Sequence, residues 1–163
     1  CTNFLSILGY INEEYQYFSL ILFTVYLAFY KFNQSPAKIF LGDVGSISSG
    51  YLVGFIMISC LLTNGILLPI VIVNMYYILD SSITLLIRFY KRDNVLEAHS
   101  DHFYQKMIRK GYQHSYVIKW IFALNSILLI LSLLSMKLPI ISFIFSILLT
   151  TALLYLFYVK KEI

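Results

Sequence analysis

Long runs of apolar residues set the strongest limit on how this chain can fold. Hydrophobic side chains make up 60% of the sequence and charged ones only 12%, unlike a soluble globular domain. Runs of about 20 apolar residues predict membrane-crossing helices, because a helix satisfies its backbone hydrogen bonds within the lipid. We expect such spans at about 15–31, 46–63, 66–91, 114–135 and 138–160, after a run at 1–8 that would end an earlier one. The sequence therefore predicts an all-α, polytopic transmembrane helix bundle of about five spans plus a short interfacial helix.

Little sequence remains outside these spans, so we predict a single integral-membrane domain over residues 1–163. Pro69 and Pro139 stand near the starts of their spans, where a helix tolerates proline. The 66–91 span is longer than a bilayer requires, and we expect its C-terminal end to tilt or to project into the interface. Cys60 lies in an apolar run, which predicts a buried free thiol. The chain starts with Cys1 and no basic stretch precedes its first apolar run, so we expect a fragment or a processed chain without a signal peptide.

The distribution of basic residues predicts the orientation in the membrane. If the 32–45 loop is cytoplasmic, every Lys and Arg except Lys137 lies inside or at an inner helix end, while Glu13 and Glu14 lie outside. This asymmetry follows the positive-inside rule. The formal net charge of +4 is explained by this orientation, and no basic soluble surface suggests a nucleic-acid partner.

A turn with the sequence Gly-Asp-Val-Gly-Ser separates two predicted spans at residues 42–46. Gly42 and Gly45 permit tight backbone geometry, and Ser46 is placed to cap a helix that begins after it. Free N–H groups at that helix end suit a phosphate, and the Asp43 carboxylate suits Mg²⁺. The alternative is a capped turn without chemistry, since Gly, Asp and Ser are common turn residues.

A second polar segment, 91–113, is predicted to lie on the same membrane face, so the two segments could build one site. It holds His99 and His102, which would share a helix face and could bind phosphate oxygens, exchange protons or bind a metal. Two solvated interfacial histidines are the simpler alternative. From residue 103 onward, apolar and basic residues separate onto two sides, which predicts an interfacial helix lying on an anionic leaflet.

Asp80 is unusual because it lies within the long third span. Carboxylates at such depth normally face a bundle interior, a partner or a water-filled cleft. Arg88 follows eight residues later, on nearly the same helix face but about 12 Å away. A structural pair with another helix and a role in substrate binding both remain open for Asp80.

Three ordered segments of the chain together resemble the polyprenyl-phosphate sugar-1-phosphate transferases. The similarity is greatest to the undecaprenyl-phosphate N-acetylglucosamine-1-phosphate transferases and more distant to the phospho-N-acetylmuramoyl-pentapeptide transferases. The segments are Pro-Ala-Lys-Ile-Phe-Leu-Gly-Asp-Val-Gly-Ser at 36–46, Leu-Asp-Ser-Ser-Ile-Thr-Leu-Leu-Ile-Arg at 79–88, and Glu-Ala-His-Ser-Asp-His-Phe-Tyr-Gln at 97–105.

The resemblance implies transfer of sugar-1-phosphate from a UDP-amino sugar to polyprenyl phosphate, with release of UMP. It implies a bacterial inner-membrane enzyme with a cytoplasmic active face, in cell-envelope polysaccharide or O-antigen synthesis. The cofactor would be Mg²⁺, with Mn²⁺ as a substitute. Asp43 would be a metal ligand and catalytic residue, and His99 and His102 would be catalytic. The substrate-binding residues would be Lys38, Gly42, Gly45, Ser46 and Arg88.

The sequence also departs from this family. The Asp-Asp pair and the Asn-rich segment ending in Asp-Gly that the family carries earlier in the chain have no counterpart here, so the chain resembles a C-terminal half. We therefore expect residues 1–163 alone to be inactive, and a missing N-terminal half or a homodimer could complete the molecule. A non-catalytic membrane remnant and a small membrane transporter subunit are the alternatives.

Overall fold

The computed structural model describes residues 13–34, 38–94, 97 and 101–160, in which every regular element is a helix. The predicted all-α class is therefore confirmed. The helices of the first half are α1 (Glu13–Asn33), α2 (Gly42–Asn64), α3 (Leu67–Val73) and α4 (Met75–Lys91). Those of the second half are α5 (Phe103–Arg109), α6 (His114–Leu134) and α7 (Pro139–Val159).

Three helices are long and apolar enough to cross a membrane, namely α2, α6 and α7. The pair α3 and α4 is a fourth candidate if its two pieces count as one bent span. Helix α1 has 21 residues but is less apolar, because tyrosines such as Tyr17, Tyr26 and Tyr30 lower its mean hydropathy. The described residues thus hold up to four candidate spans, and the predicted membrane helix bundle is confirmed.

The span predicted at 66–91 is not one straight helix, because it consists of α3 and α4, which are bent by 68° relative to each other. The break is at Asn74, whose backbone leaves the helical region (φ −94°, ψ 6°). Its side-chain Nδ2 donates to the carbonyl of Ile70 at 2.9 Å, a local bond that competes with regular helix geometry. Pro69 lies in the first turn of α3 and Pro139 is the first residue of α7, as predicted.

Internal contacts divide the chain into two compact units, Cys1–Leu67 and Leu68–Ile163. In the first unit the segment before α2 folds back onto the end of α1. The backbone N–H of Lys38 donates to the carbonyl of Phe32 at 2.8 Å, and Asn33 Nδ2 donates to the carbonyl of Ile39 at 3.1 Å. These bonds bring the start of α2 next to the end of α1. Cys60, in α2, is a buried free thiol, as predicted.

The core of the second unit forms where α7 packs against α4, α5 and α6. One face of α7 consists of small hydroxyl residues at four-residue spacing, Ser142, Ser146 and Thr150, and all three are buried. Small residues let membrane helices approach closely. The Ser146 hydroxyl donates to the carbonyl of Phe143 at 2.7 Å, and the Thr150 hydroxyl donates to the carbonyl of Ser146 at 2.8 Å. Both hydroxyl donors are therefore satisfied within α7 itself.

We expect Ser146→Leu to destabilise the bundle by about 1–3 kcal/mol, because a larger side chain would overpack a site with 0% exposure. Ser126→Leu on α6 is the matched control, since Ser126 is exposed and should shift stability by less than about 0.5 kcal/mol. Thermal unfolding in detergent measures both. Equal shifts for the two variants would contradict the packing role of this face.

Candidate functional site

Asp43 lies in the first turn of α2, because this helix begins at Gly42 rather than after Ser46. The predicted capping role of Ser46 is therefore wrong. Its hydroxyl instead donates back to the carbonyl of Asp43 at 3.3 Å. Asp43 is exposed, and no residue in the described part of the chain forms an ion pair with it. The carboxylate therefore stands accessible at the positive end of an apolar helix.

Gly42 and Gly45 favour glycine for different structural reasons. Gly42 adopts φ +62°, a left-handed conformation that favours glycine. Gly45 has no such strain, but a Cβ there would lie 2.6 Å from Cγ of Leu41, so a side chain would have to displace that leucine. The predicted tight geometry is present at both positions. It presents Asp43 and the first N–H groups of α2 on an open surface, while Lys38 is also exposed.

Asp43 fits a role as one ligand of Mg²⁺. This ion commonly takes one or two protein carboxylates and fills its other positions with water and phosphate oxygens. Within the described ranges, no group of three or more His, Cys, Asp or Glu side chains is placed to hold a metal. Asp43 could therefore hold Mg²⁺ only together with ligands from outside the described residues, such as water and phosphate oxygens.

In the second unit, the Asp80 carboxylate holds the start of α5. Asp80 Oδ1 accepts a 3.0 Å hydrogen bond from the backbone N–H of Phe103, and Oδ2 lies 3.3 Å from Nδ1 of His102. Asp80 is only 4% exposed, so α5 supplies the partner that a buried carboxylate needs. Of the two roles left open for Asp80, the structure shows the polar contact with another helix.

His102 immediately precedes α5 and has three geometric restraints. Its ring stacks on that of Tyr104, with centroids 6.0 Å apart and an interplanar angle of 18°. Its backbone N–H donates to Gln105 Oε1 at 3.2 Å, and its Nδ1 is near Asp80. The side chain is 28% exposed, so a polar ligand can reach it. His99 falls outside the described residues.

Arg88 holds the segment that leads to His102. Its guanidinium donates to the carbonyls of Asn94 and Glu97, and its Nε lies 3.9 Å from Asp101 Oδ2. Arg88 is 6% exposed. Its predicted contact with a substrate phosphate stays a prediction, while the visible contacts are those of a residue that shapes the loop.

The buried face of α4 carries polar residues at every fourth position. Tyr76, Asp80, Thr84 and Arg88 occupy this face, and all four are buried. Residues four apart in a helix lie above one another. This four-residue spacing is present in the sequence. The mean hydropathy of the segment does not reveal it, because the apolar residues of each turn outnumber the one polar residue.

Helix α5 confirms the predicted short helix, and its location at a membrane interface stays a prediction. Phe103 and Met107 are buried in the core of the second unit, so its apolar side packs on protein rather than entering lipid. Lys110, just after α5, donates from Nζ to the carbonyls of Phe157 at 3.3 Å, Tyr158 at 2.8 Å and Lys160 at 2.7 Å. This lysine caps the last helix.

We expect Asp80→Leu to loosen α5, because the Phe103 N–H would lose its acceptor in a buried position, at a cost of about 1–3 kcal/mol. Hydrogen exchange of peptides covering 103–109 should become faster. Asp80→Asn keeps an acceptor oxygen and should have a smaller effect. The exposed Asp93→Asn controls for the change of charge, and unchanged exchange in Asp80→Leu would refute the anchoring role.

The contribution of Asp101 to stability depends on pH. The hydrogen bond from Arg109, at 3.3 Å, and other nearby cations hold the pKa of the Asp101 carboxyl below its ordinary value. Its contribution to stability is therefore complete above the ordinary carboxyl pKa of about 4 and is lost as pH falls through the lowered value. Thermal unfolding from pH 7 to pH 3 should show a smaller acid-induced loss for Asp101→Asn. An unchanged acid profile would contradict this contribution.

Comparison with known proteins gives partial matches to one enzyme family. The model of glycosyl transferase family 4 matches residues 1–61, a stretch that contains Asp43. A phospho-N-acetylmuramoyl-pentapeptide-transferase of Prochlorococcus marinus is 36% identical over 83 residues, which are 49% of this chain and 22% of that protein. A corresponding transferase of Lactococcus lactis is 32% identical over 89 residues, 53% of this chain and 26% of that protein.

A third relative matches more of the chain. A probable undecaprenyl-phosphate N-acetylglucosaminyl 1-phosphate transferase of Bacillus subtilis is 28% identical over 121 residues, 68% of this chain and 34% of that protein. The chain thus spans about a fifth to a third of the length of these relatives. No solved structure matches it. The family model and the three relatives agree with the resemblance of the sequence motifs, and over residues 1–61 the chain is similar to glycosyl transferase family 4.

Proposed function

We propose that this chain is part of an enzyme that transfers sugar-1-phosphate from a UDP-amino sugar to polyprenyl phosphate and releases UMP. The product would serve synthesis of a cell-envelope polysaccharide. The observation that carries this proposal is the Asp43 carboxylate. It is exposed at the start of a membrane-span candidate and lies within the stretch that matches the family model.

Asp43 is the residue that would hold Mg²⁺. When bound, the ion would neutralise negative charge on the diphosphate of the sugar donor. The first N–H groups of α2 would bind phosphate oxygens, and Gly42 and Gly45 leave the backbone accessible. Lys38 is exposed next to this turn and would add a positive charge. These groups position a phosphate close to the membrane surface, where a lipid phosphate could reach it.

His102 would act through hydrogen bonding or proton exchange with a phosphate group. Its exposed fraction allows access, and Asp80 and Tyr104 restrict its ring. A ring N–H of the imidazole can donate a hydrogen bond to a phosphate oxygen. Arg88 would contribute by holding the loop that presents His102. His99 would act together with His102.

The active site we propose needs more carboxylates than these residues supply. The 163 residues contain neither an Asp-Asp pair nor an Asp-Gly pair, and phosphoryl transfer depends on metal ions and the precise placement of the attacking group. We therefore propose that the remaining groups come from further protein sequence, and that residues 1–163 alone do not catalyse transfer. The proposed location is a bacterial inner membrane with the site on its cytoplasmic face.

A chimera tests the function. Residues 1–163 would replace the matching region of the Bacillus subtilis relative, and transfer from labelled UDP-N-acetylglucosamine to undecaprenyl phosphate would be measured with Mg²⁺. We expect activity from the chimera and none from residues 1–163 alone. Asp43→Asn in the chimera should lower the rate at least about 100-fold, because the change removes the negative charge that holds the metal.

His102 and an exposed control refine this test. His102→Ala should lower kcat by about 100-fold, the lower range for proton transfer by a positioned group, whereas Asp93→Asn should leave the rate unchanged. Size-exclusion chromatography and circular dichroism establish that each variant folds. A folded chimera without activity, or full activity in Asp43→Asn, would overturn the proposed function.

A further inference from the structure

A cavity lies at one end of the second unit, and neither Asp80 nor His102 lines it. It has a volume of about 360 Å³ and lies where α5, α6 and α7 meet. Its walls are almost entirely apolar and include Met107, Leu153, Leu156 and Phe157. A cavity with such walls offers little to a nucleotide or a sugar, which need several convergent polar groups. The walls suit a hydrocarbon chain.

One positive charge stands at this cavity. Lys160, the residue after α7, lines it together with Tyr116, and its ammonium donates to the Tyr116 hydroxyl. The ammonium also lies 4.4 Å from the ring centre of Tyr116 and 4.8 Å from that of Tyr112. These contacts fix the lysine beside the opening. An ammonium has three donors, so a phosphate oxygen could bind alongside the hydroxyl.

The apolar cavity and Lys160 lie at a level of the bundle that corresponds to a membrane interface. Helices α6 and α7 are span candidates, and the contacts of Lys110 with the carbonyls of 157, 158 and 160 show that α5 lies at the end where α7 stops. Trp120, another lining residue, is 47% exposed. Tyr, Trp and Lys are the residues that collect at the level of lipid headgroups.

We propose that this cavity binds one anionic phospholipid, with part of a chain among the apolar walls and the phosphate on Lys160 and Tyr116. If a methylene group takes up about the volume of a water molecule, ~30 Å³, the cavity holds about a dozen. The fixed positive charge favours an anionic over a zwitterionic headgroup. This inference goes beyond the proposed transferase function and does not depend on it.

Trp120 makes the proposal measurable because it is the one tryptophan of the chain. The purified chain would be placed in nanodiscs of phosphatidylcholine that contain an increasing fraction of a brominated lipid, which quenches nearby tryptophan fluorescence. We expect brominated phosphatidylglycerol to quench Trp120 at a lower mole fraction than brominated phosphatidylcholine. The difference in quenching between the two brominated lipids should decrease with added salt.

Lys160→Gln should raise the fraction of brominated phosphatidylglycerol needed for half-quenching about fivefold, as expected for one lysine near an anionic headgroup. Lys119→Gln is the matched control, because Lys119 is exposed and adjoins Trp120 without lining the cavity. The Lys119→Gln variant should keep the preference for phosphatidylglycerol over phosphatidylcholine. Leu156→Phe, which narrows the cavity while keeping the charge, should weaken the quenching by phosphatidylglycerol.

Four results would overturn the proposal. The first is equal quenching by the two headgroups in the unchanged chain. The second is an undiminished preference for phosphatidylglycerol in Lys160→Gln. The third is loss of this preference in Lys160→Arg, which keeps the positive charge and serves as the folded reference if the glutamine variant does not fold. The fourth is displacement of the brominated lipid by undecaprenyl phosphate but not by unlabelled phosphatidylglycerol, which would identify the substrate lipid as the occupant.

Discussion

The arrangement of the second unit depends on one buried carboxylate meeting the start of one short helix. Asp80 lies within a membrane-span candidate, where an unpaired charge is costly. The Phe103 N–H and the His102 ring supply its partners. Helix α5 has only seven residues, too few to be stable by itself. The carboxylate therefore needs α5, and α5 needs the carboxylate and the apolar core beneath it. The position of His102 follows from this mutual requirement.

Much of the fold could be predicted from the sequence because lipid permits few backbone structures. The apolar runs predicted the helical class and the approximate ends of α2, α6 and α7, and Pro69 and Pro139 marked starts of helices. The bend at Asn74 could not be predicted in this way. An asparagine within an apolar run has several possible partners, and only the folded chain shows that it bonds to its own helix at Ile70.

The candidate site was predictable in its residue types but less so in their roles. The Gly-Asp-Val-Gly-Ser motif located Asp43, yet Ser46 turned out to lie inside the helix because φ at Gly42 lets the helix begin earlier. The resemblance to the transferases implied that Arg88 contacts a phosphate. Its carbonyl partners at 94 and 97 come from a loop without periodicity, so no sequence pattern could indicate them.

Lys110 also has a consequence for the end of the last span. The carbonyls of the last turn of a helix lack partners within the helix. The ammonium of Lys110 donates to the carbonyls of Phe157, Tyr158 and Lys160. A residue about fifty positions earlier in the chain thus caps α7. The C-terminal end of this span candidate is therefore held by a tertiary contact, and a change at position 110 would act on a helix far from it in sequence.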